Sequence, residues 1–192
     1  MKDAVANRTY GKVLAAHFRR VAAHPGGPFY LNGDLNGGAA LDLHIHDTDF
    51  VQYLFGVPKS VYSAGYSKVT NQIDHIVTHY HYDDVPLVIA EGSWAMTDGY
   101  PFKMQFTVNF ERATCVYDFP SEKPMTLYEK GKSPAVVELD PTMGYQYEIE
   151  YFLECVRTGK RPTKVTMQDA ANTIRIVEAE VRSAQSRQTV SL

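Results

Sequence analysis

Gly37-Gly38-Ala39-Ala40-Leu41-Asp42-Leu43-His44-Ile45-His46-Asp47-Thr48-Asp49 is the stretch around which the chain is organised. On a helix, at about 100° per residue, Asp42, His46, Asp49 and Tyr53 fall in one narrow polar stripe, while Leu43, Phe50, Val51, Leu54 and Phe55 face elsewhere. Asp42 and His46 then stand at i and i+4, within mutual reach. Such a pair can fix an imidazole tautomer and tune it for proton transfer. The same spacing also describes a histidine that merely satisfies a carboxylate at a helix terminus, and spacing alone does not choose between the two. Two glycines ahead of the helix permit close backbone approach to a ligand. The loop before them carries Asn32, Asp34 and Asn36, and Gly56 with Pro58 supplies the helix stop.

Outward from this helix the period changes. Residues 11–23 alternate well enough for a strand, ended by His24-Pro25-Gly26-Gly27-Pro28. After Pro58, short runs rich in Val, Tyr, Phe and Thr predict strands at 60–68, 75–82, 87–96, 102–110, 114–119, 125–128 and 135–138. No helix separates most of them, so neighbours should pair antiparallel. Gly92 inside a strand predicts a bulge. Helical spacing returns at 144–157 and again at 167–186, where Ala171, Ile174, Val177 and Val181 mark the inward face and Thr166 with Asp169 marks the capped start. The sum is an α+β domain: a predominantly antiparallel open β-sheet with helices covering one face. Strands bearing Tyr62, Tyr66, Tyr80, Tyr82, Trp94, Phe106 and Phe110 supply more aromatic surface than one helical layer needs. That surplus predicts dimerisation through the open sheet face.

The 192 residues, 44% of them hydrophobic, suffice for one globular domain without staples. Nineteen basic against 22 acidic residues, with no long block of either sign, give no nucleic-acid surface. Cys115 and Cys155 have no C-x-x-C partner and sit in apolar surroundings, the pattern of two buried thiols in a reducing compartment. No apolar run approaches the ~18 residues of a membrane span, and no signal-peptide core follows Met1-Lys2-Asp3. These features predict a cytoplasmic protein that binds no membrane.

Two further groups invite a chemical reading. His75, His79 and His81 share one face of a strand, but residues four or six apart cannot chelate one ion together, and no carboxylate accompanies His79 and His81, so no metal site is expected. The other group is Arg19 and Arg20 with His17, near the end of the first strand, where Arg19 can clamp an anionic or hydroxylated ligand or simply be solvated. There is no G-x-G-x-x-G, P-loop or G-x-S-x-G, hence no phosphate cradle for a nucleotide.

The run Gly37-Gly38-Ala39-Ala40-Leu41-Asp42-x-x-x-His46-x-x-Asp49, continued by Leu54, Gly56 and Pro58, resembles the substrate-domain signature of the Gfo/Idh/MocA oxidoreductases, the family of glucose-fructose oxidoreductase and inositol dehydrogenase. Tyr147, Glu150 and Phe152, followed by Gly159-Lys160-Arg161-Pro162 and a helix through Ile176, Glu178 and Ala179, are similar to the family's last two helices. The resemblance implies a parent protein with an N-terminal Rossmann domain for NAD or NADP and a C-terminal sheet that completes the substrate pocket and builds dimers or tetramers. Residues 1–10 would be a remnant of the preceding domain or a linker, and 11–192 the substrate-binding and oligomerisation domain. His46 would act as general base or acid on the hydroxyl of a sugar, inositol or related polyol while hydride passes to or from the nicotinamide. Asp42 would hold that hydroxyl and the imidazole, with Asn32 and Arg19 as further substrate contacts. The chain alone would hold no cofactor and turn over no substrate. His44 departs from the glycine many members have, placing a second imidazole next to the pocket. The reading from another class is a non-catalytic binding or assembly module of the same fold.

Overall fold

The computed structural model of the chain describes residues 1–142 and 144–192. Its strands are β1 (Val13–Ala23), β2 (Ser60–Tyr66), β3 (His75–His81), β4 (Leu87–Met96), β5 (Lys103–Phe110), β6 (Ala113–Phe119), β7 (Met125–Glu129), β8 (Ala135–Val136) and β9 (Val190–Ser191). They form one open sheet in the order β8-β7-β6-β5-β1-β4-β3-β2-β9. The expected antiparallel meanders are present on both sides of β1: β2-β3-β4 on one, β5-β6-β7-β8 on the other. The seam between β1 and β4 is parallel, which local strand signals do not reveal. A helix after β1 carries the chain to the far edge, and the meander returns strand by strand until β4 lies alongside β1.

The helices are α1 (Lys2–Ala6), the one-turn α2 (Gly27–Tyr30) and α3 (Gly33–Asn36), α4 (Ile45–Phe55), α5 (Gly144–Thr158) and α6 (Met167–Ser186). A π-helical turn over Ala40–His44 runs directly into α4. α4 and α6 cover one face of the sheet, and α1 packs Ala4 and Val5 against the same core. Strand alternation decides which side chains meet them. Phe18 is buried edge-on to Phe50 of α4, with ring centroids 5.7 Å apart, whereas its neighbour Arg19 points to the uncovered face. Val61, Tyr80, Val88, Ala90, Val108 and Phe110 continue the core under Val51, Leu54, Ile176 and Ala179. α6 begins with a reciprocal capping box between Thr166 and Asp169.

Three expectations change. Gly92 lies in regular register with Arg20 and Ile76, and the irregularity falls between Val21 and Ala23. Gly92 serves close approach instead: a Cβ there would stand 2.5 Å from the Cβ of His44. The inward face of α6 is rotated. Thr173, Ile176, Val177, Glu180 and Ser183 are buried, while Ala171 and Ile174 are exposed, because polar side chains find partners inside and need not face water. The aromatic surplus is also smaller than expected. Tyr80, Phe106 and Phe110 turn toward the helices and Trp94 is buried against His24 and Tyr30, which leaves Tyr62 and Tyr66 exposed on the open face.

Candidate functional site

The polar stripe begins in the π turn, and what fixes that turn fixes the site. Asn36 holds the preceding loop, donating to Phe29 O at 2.8 Å and accepting from Gly38 N at 2.7 Å. Gly38 has φ +72° and presses on the carbonyl of Ile73, which also accepts from Ala40 N at 3.2 Å. Only glycine tolerates that combination of a left-handed φ and a backbone wall 2.6 Å from a would-be Cβ.

His44, at the other end of the turn, is fully buried. Its Nε2 stands 3.3 Å from the Tyr80 hydroxyl and 3.1 Å from Glu180 Oε2, the latter an ion contact rather than an aligned hydrogen bond. Glu180 Oε1 accepts from the Thr48 hydroxyl at 3.0 Å, and Thr48 lies 3.0 Å from Tyr80, closing a ring between α4, α6 and β3. Burial by itself would push the His44 imidazole down, but the Glu180 carboxylate outweighs it and holds the value above the ordinary one. Burial pushes the Tyr80 hydroxyl well up, so it stays protonated. One turn on, Arg20 of β1 forks onto both oxygens of Asp47 at 3.0 and 3.3 Å. The second imidazole therefore sits in the interior and not beside the pocket.

His46 is exposed and Asp42 half-buried at the open start of α4. Burial raises the Asp42 carboxyl above its usual range, against the lowering influence of His46 nearby. Among the described residues the histidine–carboxylate contacts are His44–Glu180 and His75–Glu91, so Asp42 and His46 are neighbours that do not clasp each other. Asp49 turns toward α6 and accepts from Thr173 at 2.8 Å, and Tyr53 stacks on Phe50 beneath the Lys2 ammonium. A cleft of about 660 Å³ runs along this lower half of the stripe, between Gln52, Tyr53, Lys164 and Asn172.

The other two named residues have partners of their own. Asn32 caps α3, accepting from Asp34 N at 3.1 Å. Arg19 lies on the opposite face of the sheet from α4, bonded to Glu91 at 2.8 Å and to Gln105 at 3.5 Å. Gln105 reaches Asp118 at 2.9 Å, and Glu91 lies 3.5 Å from His75, itself stacked on Tyr66. A polar belt thus crosses six strands of the open face. His79 and His81 are exposed on that face, and among the described residues no group of three or more His, Cys, Asp or Glu side chains could hold a metal. Cys115 and Cys155 are buried free thiols. Among the described residues no helix is long and apolar enough to cross a membrane. Sequence reading named Arg20 with Arg19 but missed Glu180, Tyr80 and Thr48. The available signal was the spacing of Thr173, Glu180 and Ser183 along α6, which places three polar groups on one buried seam.

Comparison with known proteins agrees with this fold. Over 168 residues the chain is 26% identical to scyllo-inositol 2-dehydrogenase (NAD(+)) of Bacillus subtilis (strain 168), covering 82% of this chain and 48% of that protein. Levoglucosan dehydrogenase, solved in complex with NADH and levoglucosan, superposes with a TM-score of 0.83 at 14% identity over 100% of this chain and 62% of its own. The WlbA dehydrogenase from Bordetella pertussis, in complex with NADH and UDP-GlcNAcA, gives a TM-score of 0.80 at 14% identity, covering 100% of this chain and 58% of that one. The chain spans about half the length of the curated relative it matches. Residues 1–116 match the description of the GFO/IDH/MocA C-terminal domain, and the chain belongs to that family.

Proposed function

We propose that this chain is the substrate-binding and oligomerisation part of an NAD(P)-dependent oxidoreductase acting on a sugar, inositol or related polyol. The observation that carries the proposal is the pair Asp42 and His46, side by side at the open start of α4 with no contact closing one on the other. A secondary hydroxyl placed between them can give its proton to the His46 imidazole while the Asp42 carboxyl orients the O–H, the division of work that oxidation of an alcohol requires. Arg19 lies on the other face of the sheet from this pair, so Asp42 and His46 carry the assignment.

A nicotinamide dinucleotide supplies the hydride acceptor in such a reaction. The residues present do not fit its phosphates. The glycine pair at 37–38 is filled by the chain's own Leu41 and Ile73, so its backbone presents no open cradle. We assign dinucleotide binding to another domain of the parent protein and expect the 192-residue chain to transfer no hydride by itself. The belt on the open face is the surface we assign to association with further copies.

NMR of the purified chain against a polyol panel, with and without NAD or NADP, tests the division of labour. Saturable shifts at Asp42 and His46 without turnover are expected. Hydride transfer by this chain alone would overturn the assignment of the cofactor elsewhere. Polyols that reach millimolar concentration without moving either resonance would overturn substrate binding.

A further inference from the structure

Further along α4 from the Asp42/His46 pair, the cleft between α4 and the start of α6 is lined by polar side chains whose hydrogen bonds are incomplete. We propose that this cleft is a second sugar subsite and that the chain takes a neutral two-ring glycoside, with one ring at Asp42 and His46 and the other against Gln52 and Asn172. This rests on the reading of Asp42 and His46 as the pair that meets the substrate hydroxyl.

Gln52 carries the argument. It is 7% exposed, and its Nε2 donates to the Asp169 carbonyl and to Thr173 Oγ1, each at 3.0 Å. Its Oε1 is buried with no donor among the described residues. A buried acceptor left unpaired is rare and destabilising, which marks a place where a donor from outside the chain belongs. On α6, Asn172 accepts through Oδ1 from Gln168 at 2.9 Å and from Arg175 at 3.4 Å, while its Nδ2 has no acceptor among the described residues. The two helices thus offer one cleft an open acceptor and an open donor, and sugar hydroxyls both give and take hydrogen bonds. The loop side of the cleft is pinned: Tyr151 of α5 accepts from the amides of Thr163 and Lys164 at 2.7 and 3.1 Å, and the Lys164 ammonium lies 4.8 Å from the centre of that ring.

Charge and length select the ligand. Lys2 and Lys164 are balanced in the lining by Asp49 and Asp169, so the cleft favours a ligand without net charge. Asp49 follows His46 by three residues and Tyr53 follows Asp49 by four, which makes the helix face continuous from the pair to the cleft. Gln52 stands six residues beyond His46, about 9 Å along α4 at the rise of a regular helix. A single pyranose or inositol ring is too short to engage both ends, and two joined rings span them.

The test is an NMR titration of the full chain that follows the side-chain amides of Gln52 and Asn172 together with Asp42 and His46. The probes are glucose and myo-inositol as single rings, maltose, cellobiose, lactose and trehalose as neutral disaccharides, and glucose 6-phosphate as a charged control. At least one disaccharide should move all four residues together and bind tenfold or more tighter than either single ring. Asn172→Ala, a change α6 tolerates, should weaken that disaccharide by roughly tenfold, the effect of one lost hydrogen bond. Disaccharides that bind no tighter than glucose or inositol overturn the proposal, as does unchanged disaccharide affinity in Asn172→Ala. Cleft amides that stay unmoved, the result if water alone fills the cleft, overturn it equally, and glucose 6-phosphate binding tighter than every disaccharide overturns the neutral class. Single rings that move Asp42 and His46 while disaccharides leave the cleft unmoved sink this inference and keep the functional reading. A disaccharide that moves the cleft amides but neither Asp42 nor His46 sinks both.

Discussion

Arg19 and Arg20 are consecutive residues of β1, and each binds a carboxylate, but they do so on opposite faces of the sheet. Arg20 turns under α4 to Asp47, with side chains 17% and 5% exposed; Arg19 turns to the open face and Glu91, with side chains 36% and 24% exposed. Beneath the helices a charge has no water to return to, so losing one partner strands the other. On the open face water and neighbouring side chains can take over, and the pair contributes little. The covered face is therefore a closed network whose members depend on one another. The open face is a belt of contacts that can be exchanged for those of another surface.

The contrast breaks most visibly at Glu180. Glu180→Ala leaves the buried His44 imidazole without its carboxylate and should lower the unfolding free energy by about 3–5 kcal/mol in urea denaturation. A loss below ~1 kcal/mol, the range of an exposed pair, would mean the covered face is no different from the open one. The pH dependence has a definite sign. The His44 value is raised on folding, so its contribution is complete below the ordinary imidazole range and is lost as pH rises through the raised value. Next in size is Gly92→Ala, whose new Cβ would lie 2.5 Å from the His44 Cβ and 2.7 Å from Nδ1. Moving the ring and the turn behind it should require about 3 kcal/mol, the upper end for overpacking. A wild-type urea midpoint in that variant would show that the ring does not fill the notch.

Asp74 sharpens the comparison from a different place, since it is a buried charge held, among the described residues, without a cationic partner. Its carboxylate accepts from the backbone amides of Lys68, Val69 and Thr70 at 2.6–2.8 Å, from the Thr70 hydroxyl at 2.6 Å and from the Trp94 indole at 2.8 Å. Burial would raise this carboxyl, but the bonds from Thr70, Trp94 and the amides outweigh it and bring it to about 2. A depressed value stabilises the fold above the ordinary aspartate range and is lost as pH falls toward 2. Asp74→Asn should therefore cost about 2 kcal/mol near neutral pH and progressively less as the acid limit is approached. A penalty that stays constant down to that limit would separate the bonds from the charge.

How far these features were legible in the sequence depends on the range of the forces involved. The meanders, the helix carrying Asp42 and His46, the cap at Thr166 and the α+β class all follow from local period, turn residues and helix signals. The parallel seam of β1 with β4 was not legible, because it is set by where a whole meander returns. The π turn was not legible either. The residues it packs against, Ile73 and Gly92, lie far along the chain, and Glu180 reads as an ordinary surface acid until Thr48 and His44 are placed against it. Arg19 was misplaced relative to the pair for the same reason: one position along a strand decides the face, and the covered face is identified by Phe18 meeting Phe50.

The smallest effect on stability belongs to Arg19, and it separates the folding role of the open face from the associative role proposed for it. Arg19→Ala removes the guanidinium between Glu91 and Gln105 but leaves Glu91 with His75 at 3.5 Å and Gln105 with Asp118 at 2.9 Å. The unfolding midpoint should move by less than ~1 kcal/mol. If a second copy sits on this face, the same change removes its central cation and leaves Glu91 facing the partner unbalanced, so the variant should dissociate at concentrations where the parent chain sediments as an oligomer. A parent chain that is monomeric at micromolar concentration removes the associative role. A variant that loses as much stability as one stripped of Glu180 would make the two faces equivalent, because an arginine whose neighbours can re-pair in water has no means of destabilising the fold that far.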